Sequence, residues 1–137
     1  MIAGIGTDLC DVGRIDAALQ RHGLRFARRI LGPAEWAVFE RRLHTSSAHA
    51  HRYLATRFAA KEAFAKAIGL GMRHPMGWQA CEVISNDLGR PSVQLHGELA
   101  AWFQTQGWQA HLSLSDEAHH ALAFVVVEHR RDSYNTP

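Results

Sequence analysis

The stretch RFAAKEAFAKAIG, residues 57 to 69, holds the only two lysines of the chain, Lys61 and Lys66, around one glutamate, Glu62. The other thirteen basic residues are arginine. A chain that nearly always chooses Arg and places both of its lysines beside one carboxylate points to a task suited to a compact ammonium. On a helix Phe58, Glu62 and Lys66 fall in one narrow stripe, each four residues from the next. Lys61 sits about 100° round from Glu62 and above Arg57. The ordinary reading is a surface pair between Glu62 and Lys66 worth a few tenths of a kcal/mol. The functional reading is a carboxylate on a largely buried, Ala- and Phe-rich helix, which needs a partner such as a metal ion. A Glu with cations on either side suits a hard metal together with phosphates.

A second carboxylate, Asp8, follows Gly4-Ile5-Gly6-Thr7. Period 2 puts Gly4, Gly6 and Asp8 on one strand face, so the wall leading to this Asp carries no side chains. The plain alternative is an Asp that ends a strand and starts a turn. One Asp from a strand and one Glu from a helix form a sparse ligand set. That suits Mg²⁺, which keeps waters and takes further ligands from substrate phosphates.

These residues need elements to hold them. MIAGIGTDL reads as a first strand, and RIDAALQRHGLRFARRIL from about Gly13 as helix with Gly23 a break. GPAEWAVFERRL has Pro33 near a helix start, and HTSSAHAH, 44 to 51, reads as a loop. A long helix is expected from about Ala50 to Ile68, stopped by GLGMRHPMG. QACEVISN and PSVQLHG read as strands joined by the turn NDLGRP, GELAAWFQTQG as a short helix, and AHLSLSD and HALAFVVVEH as strands. The class is α+β: a single compact domain over 1–130, an antiparallel sheet packed with one long central helix and shorter helices. The polar tail, 131–137, is expected to fray.

Composition sets the outer bounds. At 137 residues, 47% hydrophobic and 20% charged, the chain has room for one core and is ordinary for a globular protein. No apolar run approaches the roughly 18 residues of a membrane span, and Met1 to Cys10 lacks the charged start of a signal peptide. Cys10 and Cys81 form no CxxC, so a reduced, cytoplasmic protein is expected. The ten histidines, among them HTSSAHAHRY and His119-His120, match no standard zinc spacing. Net charge is only +2, yet Arg14, Arg21, Arg25, Arg28 and Arg29 fall in sixteen residues that include one acid, Asp16. That patch is either a solvated helix face or a dock for an acidic partner.

Three segments together carry a resemblance: GIGTDLCDVGRI, RFAAKEAFAKAIGLGM and NDLGRPSVQLHG. In order, and over nearly the whole chain, they resemble the small trimeric class of bacterial 4'-phosphopantetheinyl transferase, the holo-acyl-carrier-protein synthases. The resemblance implies that fold, and transfer of phosphopantetheine from coenzyme A to a serine of acyl carrier protein in support of fatty acid biosynthesis. It implies Asp8 and Glu62 as ligands of Mg²⁺ and Lys66 as the group neutralising the pyrophosphate. Arg57 and Lys61 become phosphate contacts, and the turn Asp87, Gly89, Arg90 and Pro91 lies against the adenine end. Arg14, Arg21, Arg25, Arg28 and Arg29 become the surface that docks the carrier protein. A homotrimer is implied, with sites between subunits and no nucleic-acid or membrane partner. The serine's proton acceptor, a metal-bound water or a carboxylate such as Glu62, stays open.

One departure stands out. Many members end the fourth strand with Ser-x-Ser-His or Ser-x-Thr-His, where this chain has SLSD with Asp116. His111 is a candidate substitute, against the blander reading of a packed strand-end histidine. Two other functions compete with the transferase. A non-catalytic coenzyme A or nucleotide-binding domain would need the cations but not the Asp8–Glu62 pair. A nucleic-acid module built on the arginine helix would need exposed aromatics among the basic residues, and Phe26 alone is thin support.

Overall fold

The computed structural model describes residues 1–131; the tail expected to fray lies outside them except for Arg131. The first strand, β1 (Ile2–Asp11), runs straight into α1 (Val12–His22), because Asp11 both ends the strand and caps the helix. Its carboxylate accepts the Gly13 amide at 2.7 Å, meeting one of the helix's orphan donors. Gly23, at φ 65°, breaks the helical run as expected and α2 (Leu24–Ile30) follows. α3 (Pro33–Thr45) opens with Pro at its first turn, and Glu35 reaches back to accept the Gly32 amide at 2.9 Å.

The loop expected over 44–51 is a single residue. Ser46 ends α3 and caps α4 (Ser47–Ala67), its hydroxyl accepting the His49 amide at 3.3 Å. The polar run HTSSAHAH hid this, since one Ser at an N-cap is enough to restart a helix. β2 (Cys81–Ser85) and β3 (Pro91–Leu95) form a hairpin, α5 (Gly97–Thr105) follows, and β4 (Trp108–Asp116) and β5 (His120–His129) complete the chain. The antiparallel sheet is divided in two: three strands in the order β1-β5-β4, and the separate pair β2-β3.

α4 is the axis of the fold. Between Tyr53 and Ala67 every residue is buried except Phe58, Glu62 and Lys66. A helix apolar nearly all round belongs inside a core. Its sides are covered by β1 and β5, by α1 to α3 and by β2. Ala121, Ala123, Val125 and Val127 of β5 form a fully buried inner sheet face beneath it. Gly4 and Gly6 make the closest approach possible: a Cβ on either would stand 1.9 Å from the carbonyl oxygen of Ala67 or Ala63. The bare wall before Asp8 is where the central helix lies on the strand. The opposite face of the sheet is apolar and open, with Ile5 and Leu9 of β1 and Leu122 and Phe124 of β5 all exposed. Among the described residues no helix is long and apolar enough to cross a membrane.

Candidate active site

The open stripe of α4 faces the end of β1 that carries Asp8. Lys66 Nζ donates to the Thr7 carbonyl at 2.9 Å and meets Asp8 Oδ1 at 3.4 Å. Among the described residues it makes no ion pair with Glu62, so the i,i+4 surface pair is not what holds this lysine. Glu62 is pushed above the usual carboxylate range, first by partial burial and then by the negative charge of Asp8. Lys66 and Arg14 act against that rise. Asp8 and Glu62 therefore sense each other across the strand–helix contact. Arg14, three residues into α1, is close enough to bear on the same carboxylate.

Lys61 corrects the sequence reading. It is fully buried, and its ammonium donates to the Ile30 carbonyl at 2.6 Å, Glu35 Oε1 at 2.6 Å and the Trp78 carbonyl at 2.7 Å. An ammonium has three protons to give, and all three are taken inside the core. Lys61 is thus no phosphate contact. It ties α4 to the end of α2, the start of α3 and the segment before β2. Its counterion Glu35, also fully buried, uses its second oxygen to accept the Val83 amide at 2.9 Å. Sequence reading missed Glu35, although Gly-Pro-Ala-Glu has the Glu at the third helical position where a capping carboxylate belongs. Glu82 was missed as well. It caps α3 at the Ala34 amide, 2.9 Å, and takes His96 Nε2 at 2.8 Å.

Arg57 is buried and under-partnered. Its Nη1 donates to Thr56 Oγ1 at 3.0 Å and its Nη2 to Ser85 Oγ at 3.3 Å, while Nε is buried with no protein acceptor. The guanidinium lies 4.2 Å over the Tyr53 ring, whose other cationic neighbour is Arg42 at 4.9 Å. Burial lowers its pKa, and among the described residues no carboxylate pairs with it. A desolvated guanidinium with spare donors is the chemistry that receives a phosphate. Ser85 ends β2, so Arg57 also places the hairpin tip beside α4. In that tip Asn86 Oδ1 accepts the Leu88 and Arg90 amides, at 3.0 and 2.9 Å, and Gly89 takes φ 81°. Asp87, Gly89 and Arg90 are exposed there and Pro91 starts β3.

Arg14, Arg21, Arg25, Arg28 and Arg29 are all exposed. Arg28 leans 4.1 Å over the Trp36 ring on α3, and Asp16, the one acid among them, is taken by His51 Nδ1 at 2.6 Å. Phe58, the apolar member of the stripe, packs against Phe26 and stacks on Trp78 with ring centroids 5.0 Å apart. His111 is neither a packed histidine nor a neighbour of the carboxylates. It is exposed on the outer sheet face, held to Glu128 Oε1 at 2.8 Å, because position 111 of β4 alternates away from α4. Asp116 is exposed where β4 turns into β5.

Residues 4–125 match the family model of the 4'-phosphopantetheinyl transferase superfamily. A holo-[acyl-carrier-protein] synthase of Methylibium petroleiphilum is 56% identical over 128 residues, 93% of this chain and 97% of that one. The crystal structure of holo-[acyl-carrier-protein] synthase from Neisseria meningitidis superposes with a TM-score of 0.85 at 41% identity, covering 93% of this chain and 99% of that one. A Bacillus anthracis holo-(acyl-carrier-protein) synthase in complex with coenzyme A (3',5'-ADP) gives 0.79 at 32% identity, over 95% and 99%. By the family match over residues 4–125, the identity to these synthases over nearly the whole chain and the shared fold, this chain belongs to the 4'-phosphopantetheinyl transferase superfamily, among the bacterial holo-[acyl-carrier-protein] synthases.

Proposed function

We infer that the protein transfers the 4'-phosphopantetheine group of coenzyme A to a serine of apo-acyl carrier protein, releasing adenosine 3',5'-bisphosphate. This is a step that supports fatty acid biosynthesis. The observation that carries the reading is the open stripe of α4. In a helix buried from Tyr53 to Ala67 except along Phe58, Glu62 and Lys66, the last two stay accessible beside Asp8. A non-catalytic nucleotide-binding domain has no use for that pair of carboxylates.

The residues suit Mg²⁺. Two mutually repelling carboxylates, with no third acidic, His or Cys side chain converging among the described residues, match an ion that keeps waters and uses substrate oxygens. Asp8 and Glu62 would hold it, and when bound it would offset the charge of the pyrophosphate. Lys66, on a flexible stem beside the same carboxylates, adds positive charge where the leaving bisphosphate gathers negative charge. Arg57 receives a phosphate at the nucleotide end, where Asp87, Gly89, Arg90 and Pro91 line the hairpin tip. The arginines of α1 and α2 then bring the carrier's serine in line, with Arg14 linking that surface to Glu62. Positioning and charge neutralisation do most of the work in such transfers.

The open apolar sheet face supports a homotrimer, which would bury Ile5, Leu9, Leu122 and Phe124 against neighbouring copies. Coenzyme A and carrier protein as substrates, together with two unpaired cysteines, support a cytoplasmic enzyme. Incubation with apo-acyl carrier protein, coenzyme A and Mg²⁺, followed by mass spectrometry, should show the carrier gaining one phosphopantetheine. A folded protein that leaves a competent carrier unmodified contradicts the reading.

A further inference from the structure

Lys66 reaches past the carboxylate on its own helix to the strand. Its ammonium is 2.9 Å from the Thr7 carbonyl and 3.4 Å from Asp8 Oδ1, and these are its only hydrogen bonds among the described residues. The side chain is 55% exposed, whereas that of Asp8 is 18% exposed. The lysine is an exposed cation leaning on a largely enclosed anion. Glu62 is left without a hydrogen-bond partner among the described residues. A divalent cation held by Asp8 and Glu62 would therefore draw on the same Asp8 carboxylate that this ammonium already engages. Two cations at one carboxylate repel each other unless an anion separates them.

We propose that Lys66 competes with the metal for Asp8 and is drawn away by the phosphates of the donor, so that this one side chain adds to the mutual strengthening of metal and coenzyme A that shared phosphate oxygens give. The inference rests on the reading of Asp8 and Glu62 as metal ligands and adds a coupling that the reading does not contain. With the donor bound, the flexible stem lets the ammonium turn from Asp8 to phosphate oxygens, a compact charge exchanging one anion for another. Metal affinity then rises, and by reciprocity the metal raises donor affinity by the same factor.

Mn²⁺, followed by electron paramagnetic resonance, is the probe. It is titrated at constant ionic strength into wild type, Lys66→Met, Arg14→Met and Asp8→Asn, with and without coenzyme A and with no carrier protein. Lys66 is exposed on the helix surface, so Lys66→Met should fold, as melting would verify. Without coenzyme A, Lys66→Met should bind Mn²⁺ at least about fivefold more tightly than wild type, in the range of ordinary site-to-site coupling. Coenzyme A should tighten Mn²⁺ binding in both, through the shared phosphate oxygens, and by a factor about fivefold or more larger in wild type than in Lys66→Met. Arg14→Met removes a nearby charge that does not touch Asp8, and should keep the wild-type enhancement. Equal Mn²⁺ affinity in Lys66→Met and wild type, or an equal coenzyme A enhancement in both, overturns the proposal while leaving the metal site standing. Mn²⁺ binding that Asp8→Asn does not weaken, in either condition, overturns the metal site and the proposal together.

Discussion

Gly6 and Ala63 touch backbone to backbone: a Cβ on Gly6 would stand 1.9 Å from the carbonyl oxygen of Ala63 and 2.9 Å from the Ala67 amide nitrogen. Gly4 repeats the contact one helical turn on, against Ala67. This is how a strand residue, Asp8, comes under the open stripe of α4. A single methyl at Gly6 must push helix and strand apart, and overpacking of this kind costs about 1–3 kcal/mol. Gly6→Ala should lower stability by that order in denaturant unfolding. The surviving folded fraction should also lose transferase activity, since the carboxylates separate. An unchanged melting curve with full activity would mean that the close approach is not needed.

Lys61→Met tests the correction made by the structure. The substitution leaves Glu35 without its counterion in the core, and breaking a buried pair in this way costs about 3–5 kcal/mol. The folded enzyme that remains should have the KM for coenzyme A of wild type. A raised KM with unchanged stability would return Lys61 to the phosphates.

The distinction between the two lysines marks the limit of what the sequence conveys. The stripe Phe58, Glu62 and Lys66 follows from helical spacing, and the structure leaves those three residues alone open on the buried half of α4. That Asp8 shares a strand face with Gly4 and Gly6 was legible from alternation, and that face is the one on which α4 lies. Lys61 was not legible, because an interval of one residue turns the side chain by about 100° into a region whose occupants come from distant segments. Ile30, Glu35 and Trp78 lie 31, 26 and 17 residues away along the chain. His111 failed for a similar reason: alternation says that a strand has two faces, not which of them meets the helix. The long expected loop before α4 shrank to Ser46 because capping is decided by one side chain.

The arginine surface has a simple signature. Reversing charge at Arg14 and Arg25, both exposed, should raise the KM for carrier protein while leaving coenzyme A binding nearly intact. Added salt should weaken the wild-type interaction as well. A double mutant that binds carrier as tightly as wild type at low salt would place the dock elsewhere.

The open sheet face predicts assembly. Sedimentation equilibrium at micromolar protein should give three times the chain mass, and Phe124→Asp, which puts a charge on the exposed apolar face, should shift the species toward monomer. A fully active monomer of the wild-type chain contradicts the trimer.

The most direct measurement is made on Glu62→Gln, which keeps the shape of the side chain and removes its charge. Mg²⁺-dependent turnover and Tm are recorded together. Turnover should fall by orders of magnitude, because a metal at the reacting phosphate supplies several kcal/mol. Stability should not fall. Burial and Asp8 raise the pKa of Glu62 in the folded protein, so its ionised form opposes folding above that raised value. The opposition fades as pH drops through it toward the unfolded value. The metal-free variant should therefore melt at or above wild type at neutral pH, with the gap closing in acid. Wild-type turnover in Glu62→Gln, with a lowered Tm, would show a structural surface pair and contradict the metal centre.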